Sequence, residues 1–263
     1  MSSTTPTPPP SSLTERRKTE TRMEIARAAA GLFVRHGLRA TRAEDIAQAA
    51  GIAPRTFYRY FATKEEAVAP LYAAGAQRWV EAVRAVPPDA GVLHALEQGV
   101  RHTLTPGVGV SASSWEWVRT LLRLAEATPS LRRVWAEVCQ ASERLLGEVL
   151  AERVTGAGAP GAAGVAKASG EHRDNVAADP DPAPTTPPRT PPTGTSHTPP
   201  TGTPHPPYAA TAELRFAAAV ASAAVRAALE AWAAGDGPAE GPDGPAELAL
   251  RNLAALRDFP WGR

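Results

Sequence analysis

Outside two Pro-rich segments, the apolar residues of this chain recur at intervals of three and four and nowhere alternate with polar ones. That period belongs to helices, so the expected fold is all-α, with about nine helices and no sheet. The two exceptions are compositional. Residues 1–12 are Ser, Thr and Pro with almost no apolar side chain. Residues 155–207 hold 13 of the 27 prolines, no aromatic residue, and only Val165 and Val176 as sizeable apolar groups. Neither stretch can repay its ordering entropy by burial. Residues 1–12 are therefore expected as a disordered arm and residues 155–207 as a disordered insert, which a surface loop tolerates because closure entropy grows slowly with length.

Caps and breakers set the helix boundaries. Ser12-x-x-Glu15 opens a first helix whose apolar face is Ile25, Ala28, Ala29, Leu32, Phe33 and His36, and Gly37 stops it. Thr41-x-x-Glu44 opens a short helix that ends at Gly51, and Pro54 stands at the first position of the next. Thr63-x-x-Glu66 opens a longer helix running to about Val86, ahead of Pro87 and Pro88. Further helices are expected near 90–104, 111–127, 129–153, 208–234 and 245–258, separated by Pro106, Pro129 and the Gly/Pro cluster at 235–245.

Composition narrows the function classes. A single cysteine, Cys139, excludes an intrachain disulfide framework and any multi-Cys metal site. The N-terminus lacks the basic-then-apolar order of a secretory signal. The most apolar stretch, Phe216 to Trp232, is interrupted by Arg226 and Glu230 and is read as too short to span a membrane. The expected location is cytoplasmic, at the nucleoid, with no membrane partner. The net charge of +1 hides an asymmetry: residues 13–64 carry eleven Lys and Arg against five Asp and Glu, and the remainder is net acidic. A basic module joined to an acidic one points to a polyanion partner for the first alone.

The stretch DIAQAAGIAPRTFYRYF gives that partner a binding element. A short helix over 43–50, a turn beginning at Gly51 and a second short helix over 54–61 share a mini-core of Ile46, Ala47, Ala50, Ile52, Phe57 and Phe61. Small Ala47 and Ala50 let the two helices cross closely, which is helix-turn-helix geometry. The second helix then presents Arg55, Thr56, Tyr58, Arg59 and Tyr60 outward. Arginine reaches guanine edges and phosphates, and Thr and Tyr hydroxyls bond phosphates, so this face suits a DNA major groove.

The pattern Thr41-Arg42-x-x-Asp45-Ile46-Ala47-x-x-Ala50-Gly51-Ile52-Ala53-x-x-Thr56-Phe57-Tyr58-Arg59-Tyr60-Phe61-x-x-Lys64-Glu65 closely resembles the DNA-binding module of TetR-family transcriptional regulators, across about residues 20–70. The resemblance implies a three-helix DNA-binding domain over 13–87, with the helix-turn-helix at about 43–62. An effector-binding and dimerisation domain over 88–263 would follow, interrupted by the insert. It implies a homodimeric repressor released from a palindromic operator in double-stranded DNA by a small molecule. Arg42, Arg55 and Tyr58 match base-proximal positions; Thr56, Tyr60 and Lys64 match phosphate-contacting ones; Thr41 and Arg59 complete the expected DNA face. Ala53 departs from the Ser or Thr that usually caps the recognition helix, a loss of about 1 kcal/mol that Pro54 offsets in part.

Beyond the module, the 208–234 helix is apolar on two stripes. Leu214, Ala217, Ala221, Ala228 and Trp232 form one; Phe216, Val220, Ala223, Ala227 and Ala231 form the other. A helix apolar on both faces needs cover on both, and a second subunit supplies the second through the 208–234 and 245–258 helices. Candidate residues for an apolar effector pocket are Trp79, His94, His102, Trp115, Trp117, Leu121, Trp135 and Cys139, although each taken singly also suits ordinary core. His94 and His102 lack a third ligand, so no metal is expected, and no cofactor. No nucleophile elbow, P-loop or metal spacing supports an α-helical enzyme, the remote alternative. The nearer alternative is a DNA-binding regulator without a small-molecule effector, constitutive or controlled by a partner.

Overall fold

A computed structural model describes residues 13–108, 114–157 and 210–261; the expected arm and nearly all of the expected insert lie outside them. The described residues contain helix and no strand. The helices are α1 (Leu13–His36), α2 (Ala43–Ala49), α3 (Pro54–Tyr60), α4 (Ala69–Ala85), α5 (Val92–Leu104), α6 (Trp115–Ala127), α7 (Pro129–Ala157), α8 (Ala212–Ala234) and α9 (Pro245–Ala254). A 3-10 turn, Glu66–Val68, precedes α4. α7 is longer than expected and takes in the first three residues assigned to the insert.

The sequence signals acted locally with small shifts. Gly37 and Gly51 end α1 and α2 with φ of 78° and 68°, a backbone state that glycine adopts without strain. The α2 cap falls one residue later than expected. The backbone N–H of Arg42 donates to the Asp45 carboxylate at 2.8 Å, while the Thr41 hydroxyl donates back to Gly37 O at 2.9 Å. At the third box, Glu66 N–H donates to the Thr63 hydroxyl and the Glu66 carboxylate accepts from Ala62 N–H. One turn of 3-10 helix therefore intervenes before α4. Ser12 lies outside the described residues, so the first box has no structural counterpart there.

Two apolar clusters organise the molecule. One gathers Ile25, Phe33, Ile46, Phe57, Phe61 and Val68 from α1–α3 and the 3-10 turn, and continues through Tyr72 into Leu121, Leu131 and Val134. The other centres on Val80, Val83, Leu96, Leu146, Leu150, Trp232 and Leu253. α8 passes a length-and-composition test for a membrane-crossing helix, contrary to the expectation that it is too short. It packs instead on α6, α7 and α9, with Leu214, Ala217, Ala221, Ala228 and Trp232 buried. The second expected stripe stays largely uncovered in the single chain. Phe216 is 62% exposed, Ala223, Ala227 and Ala231 are exposed, and Val220 is half-buried.

Cations from one helix repeatedly close the C-terminus of another, where carbonyls lack partners and the helix dipole is negative. Buried Arg153 of α7 donates to Val86 O, Pro87 O and Ala90 O at 2.7–2.8 Å and to Val83 O at 3.3 Å, tying the end of α4 to the start of α5. Arg123 of α6 donates to Ala233 O and Gly235 O at the end of α8, and pairs with Asp236. Arg119 binds Gly237 O and lies over the Trp232 ring at 4.3 Å.

Candidate nucleic-acid interface and ligand cavity

α3 has seven residues and one buried side chain, Phe57, which anchors it on Ile46 and Phe33 within the first cluster. Its outward face carries Arg55, Tyr58 and Arg59, all exposed, with Thr56 and Tyr60 half-buried along its flanks. Arg42 is exposed beside α2 and lies 3.7 Å from Glu44. Arg59 leans over the Tyr60 ring at 5.6 Å. These side chains share one region of the surface, as the sequence suggested, and Ala53 caps α3 with no side-chain hydrogen bond.

Two expected DNA residues are placed differently. Thr41 is buried, with its hydroxyl closing the turn after α1, so it belongs to the scaffold of the helix pair and not to its exposed face. Lys64 is half-buried, and its ammonium donates to Leu38 O at 2.7 Å and Thr41 O at 2.8 Å. Two of its three N–H groups thus hold the α1–α2 connection. The spacing of the sequence motif marks Lys64 but not this use of it.

A cavity of about 530 Å³ lies among α1, α4, α5, α6, α7 and α8. Six of the eight expected pocket residues line it: Trp79, Trp115, Trp117, Leu121, Trp135 and Cys139. His94 and His102 do not. Both are exposed on the outer face of α5, whose inner face is Ala95, Leu96, Gly99, Val100, Thr103 and Leu104. The sequence reading missed the contributions of α1 (Met23, Arg27), of α4 beyond Trp79 (Leu71, Tyr72, Gly75, Arg78), and of α8 (Ser222, Val225, Arg226, Leu229). The α8 residues sit on a single face at spacings of three and four, a signal hidden by the all-round apolar character of that helix.

The cavity walls are held in place by polar contacts behind them. Tyr72 donates its phenol to Leu121 O at 2.9 Å, and its ring meets Trp135 edge-on at 5.1 Å. Burial keeps that phenol protonated, well above the ordinary tyrosine range. Trp135 donates its indole N–H to Glu230 at 3.0 Å. Burial also pushes the Cys139 thiol up to about 12, with nearby Arg226 pulling it down only partly. The thiol therefore stays protonated at neutral pH, which removes the basis for a redox-sensing role. Gly99 of α5 lets Val83 and Trp79 approach: a Cβ built there would meet Val83 Cγ2 at 2.6 Å. Among the described residues no group of three or more His, Cys, Asp or Glu could hold a metal ion.

Residues 25–69 match the family model for bacterial regulatory proteins of the tetR family. The chain is 31% identical over 156 residues to the HTH-type transcriptional regulator TcmR of Streptomyces glaucescens, an alignment covering 57% of this chain and 68% of that protein. It belongs to the TetR family of transcriptional regulators. A solved structure from Mesorhizobium loti MAFF303099 assigned to the same family is a more distant likeness, at 18% identity and a TM-score of 0.47 over 93% of this chain and 96% of that one. The family-model match falls on the helices described above as the candidate DNA-binding face, and TetR-family regulators bind DNA and are usually dimeric.

Proposed function

We propose that this TetR-family regulator is a homodimeric repressor, held on a palindromic operator through Arg42, Arg55, Tyr58 and Arg59 and released when a small molecule enters the cavity. The observation that carries the reading is that α1, on which α2 and α3 pack, itself supplies Met23 and Arg27 to the cavity wall. α6 meets α1 again at Gly31, where the Trp117 ring stands 3.4 Å from where a Cβ would be. α4 adds a second route: it carries Tyr72, Gly75, Arg78 and Trp79 along the cavity and runs about 26 Å at 1.5 Å per residue. A ligand that displaces either helix changes the separation of the two α3 helices in a dimer. These must match half-sites about 34–36 Å apart.

Dimerisation is the role assigned to the uncovered stripe of α8, where Phe216 stacks on Phe259 at 5.6 Å with most of its surface exposed. The test has three steps. Sequencing DNA that co-purifies with the full chain should give a palindromic consensus. Light scattering should show a dimer that Ala223→Arg converts to monomer, with loss of operator binding. Any molecule that releases the operator should bind the DNA complex more weakly than the free protein, by linkage. A monomer that binds operator normally would overturn the dimer. Cavity ligands that bind equally well with and without DNA would overturn release and favour a constitutive regulator.

A further inference from the structure

Seven buried side-chain nitrogen or oxygen atoms among the described residues have no hydrogen-bond partner, and five of them belong to residues lining the one cavity: Trp79, Thr103, Trp115, Ser142 and Ser222. The other two are Nε atoms of Arg119 and Arg153, whose guanidinium groups are bonded through their remaining nitrogens. Trp79, Thr103, Trp115 and Ser142 are each more than nine-tenths buried. Leaving a buried polar group unpaired is unfavourable, so a cluster of them around one void marks where a partner is missing. The contrast with Tyr72 and Trp135 is informative, because those polar aromatic groups already have protein acceptors.

The direction of these groups is one-sided. An indole N–H only donates, and a hydroxyl can donate. The helical backbone around the cavity has its own N–H and C=O groups paired within the helices. A complementary ligand must therefore bring acceptors. The charges of the lining agree. It contains Arg27, Arg78 and Arg226, exposed at its rim and in no salt bridge with a described residue, and it contains no Asp, Glu or His. Aromatic walls by themselves would also suit a lipophilic cation held over the ring faces. Three guanidinium groups with no counter-carboxylate turn that preference around.

We propose that the cavity is built for an aromatic organic acid that carries further acceptor oxygens, with its rings among the tryptophans, its acceptor oxygens on the inner indole and hydroxyl donors, and its acidic group toward the arginines. The proposal rests on the reading of the cavity as the effector site and names the chemistry of its ligand.

Three matched probes test it by titration calorimetry on the full chain without DNA: anthraquinone-2-carboxylate, anthracene-2-carboxylate and 2-(aminomethyl)anthraquinone. The quinone acid has both acceptors and charge, the second lacks the ring acceptors, and the third has the opposite charge. The quinone acid should bind about tenfold or more tightly than either of the others, as two net hydrogen bonds or a reversed charge would give. Trp79→Phe and Trp115→Phe keep a ring and remove the N–H. Each should shrink the preference for the quinone over the anthracene acid, with the anthracene acid itself reporting whether the cavity is still formed. Equal binding of the two acids, tighter binding of the cation, or binding of none of the three would overturn the proposal. Failure here is distinguishable from failure of the release mechanism. A cation that releases operator would leave release standing and overturn the ligand class; an acid that binds tightly without releasing operator would do the reverse.

Discussion

In α3 one residue of seven is buried; in α8 nine of twenty-three are. The short helix uses a single aromatic, Phe57, as an anchor and leaves its other side chains to the solvent, so what it recognises and what holds it are written on different residues. In α8 and its neighbours α4–α7 they are not separate. The residues that wall the cavity also form the second apolar cluster, and Trp79 and Trp115 serve both. A substitution on α3 should therefore change binding without changing stability, whereas in the cavity region the two should move together.

Both regions nevertheless use the same device, a cation closing a helix C-terminus, and the first prediction breaks it where it is most buried. Arg153→Met keeps the side-chain stem and removes the donors to four carbonyls. It should cost about 3 kcal/mol and lower Tm by about 10 °C. Cavity affinity should fall too, since α4 ends at this contact. A Tm within two or three degrees of the parent would mean that water serves those carbonyls equally well.

The opposite behaviour is expected at Arg55. It is exposed, and nothing in its surroundings depends on it. Arg55→Ala should weaken operator binding by about 1–3 kcal/mol and relax preference at one base step. Its melting curve should overlay the parent's. Unchanged affinity and base preference in a binding-site selection would remove Arg55 from the reading face. A lowered Tm would blur the separation between recognition and stability on α3.

How legible each region was in the sequence follows from the same difference. The helix pair depends on contacts between residues fewer than twenty apart. Gly37, Gly51, Pro54 and the Ile46–Phe57 core could be placed one by one, and the errors were single-residue shifts of caps. Even there, Lys64 was read by its charge, because its partners Leu38 O and Thr41 O are backbone atoms 26 and 23 residues away. The cavity is a tertiary object. Residue type correctly marked the tryptophans, Leu121 and Cys139, since large apolar groups go inside. Helical phase, which decides whether a side chain faces in, was not applied to α5, and His94 and His102 point outward. Arg27, Arg78 and Arg226 carried no local sign of facing a common space, since they come from three helices far apart in sequence.

Lys64 sharpens the comparison, because it belongs to both categories. Lys64→Met removes the two turn-holding bonds and should lower Tm by a few degrees. Its remaining N–H is free to meet a phosphate, so the salt dependence of operator binding should also become shallower, by about one in the slope of log K against log salt per subunit. A lowered Tm with an unchanged slope would assign Lys64 to the turn alone.

The smallest effect is expected at Ala53, and it tests whether the anchor of α3 is as weak as its single buried residue suggests. Ala53 has extended backbone, φ −70° and ψ 147°, and its carbonyl already accepts from Thr56 and Phe57, but its methyl group caps nothing. A serine there has the right backbone to accept from an N–H of the first turn. Pro54 has no N–H, so Thr56 or Phe57 must be the donor. Ala53→Ser should stabilise the protein by about 0.5–1 kcal/mol, a rise in Tm of about 2 °C, and should slow amide exchange across α3. If recognition and stability are carried by separate residues here, operator affinity will rise slightly or stay constant, because a better-formed α3 presents the same side chains. A drop in operator affinity alongside a higher Tm would show that α3 must loosen to dock, and that its sparse anchoring is part of how it binds.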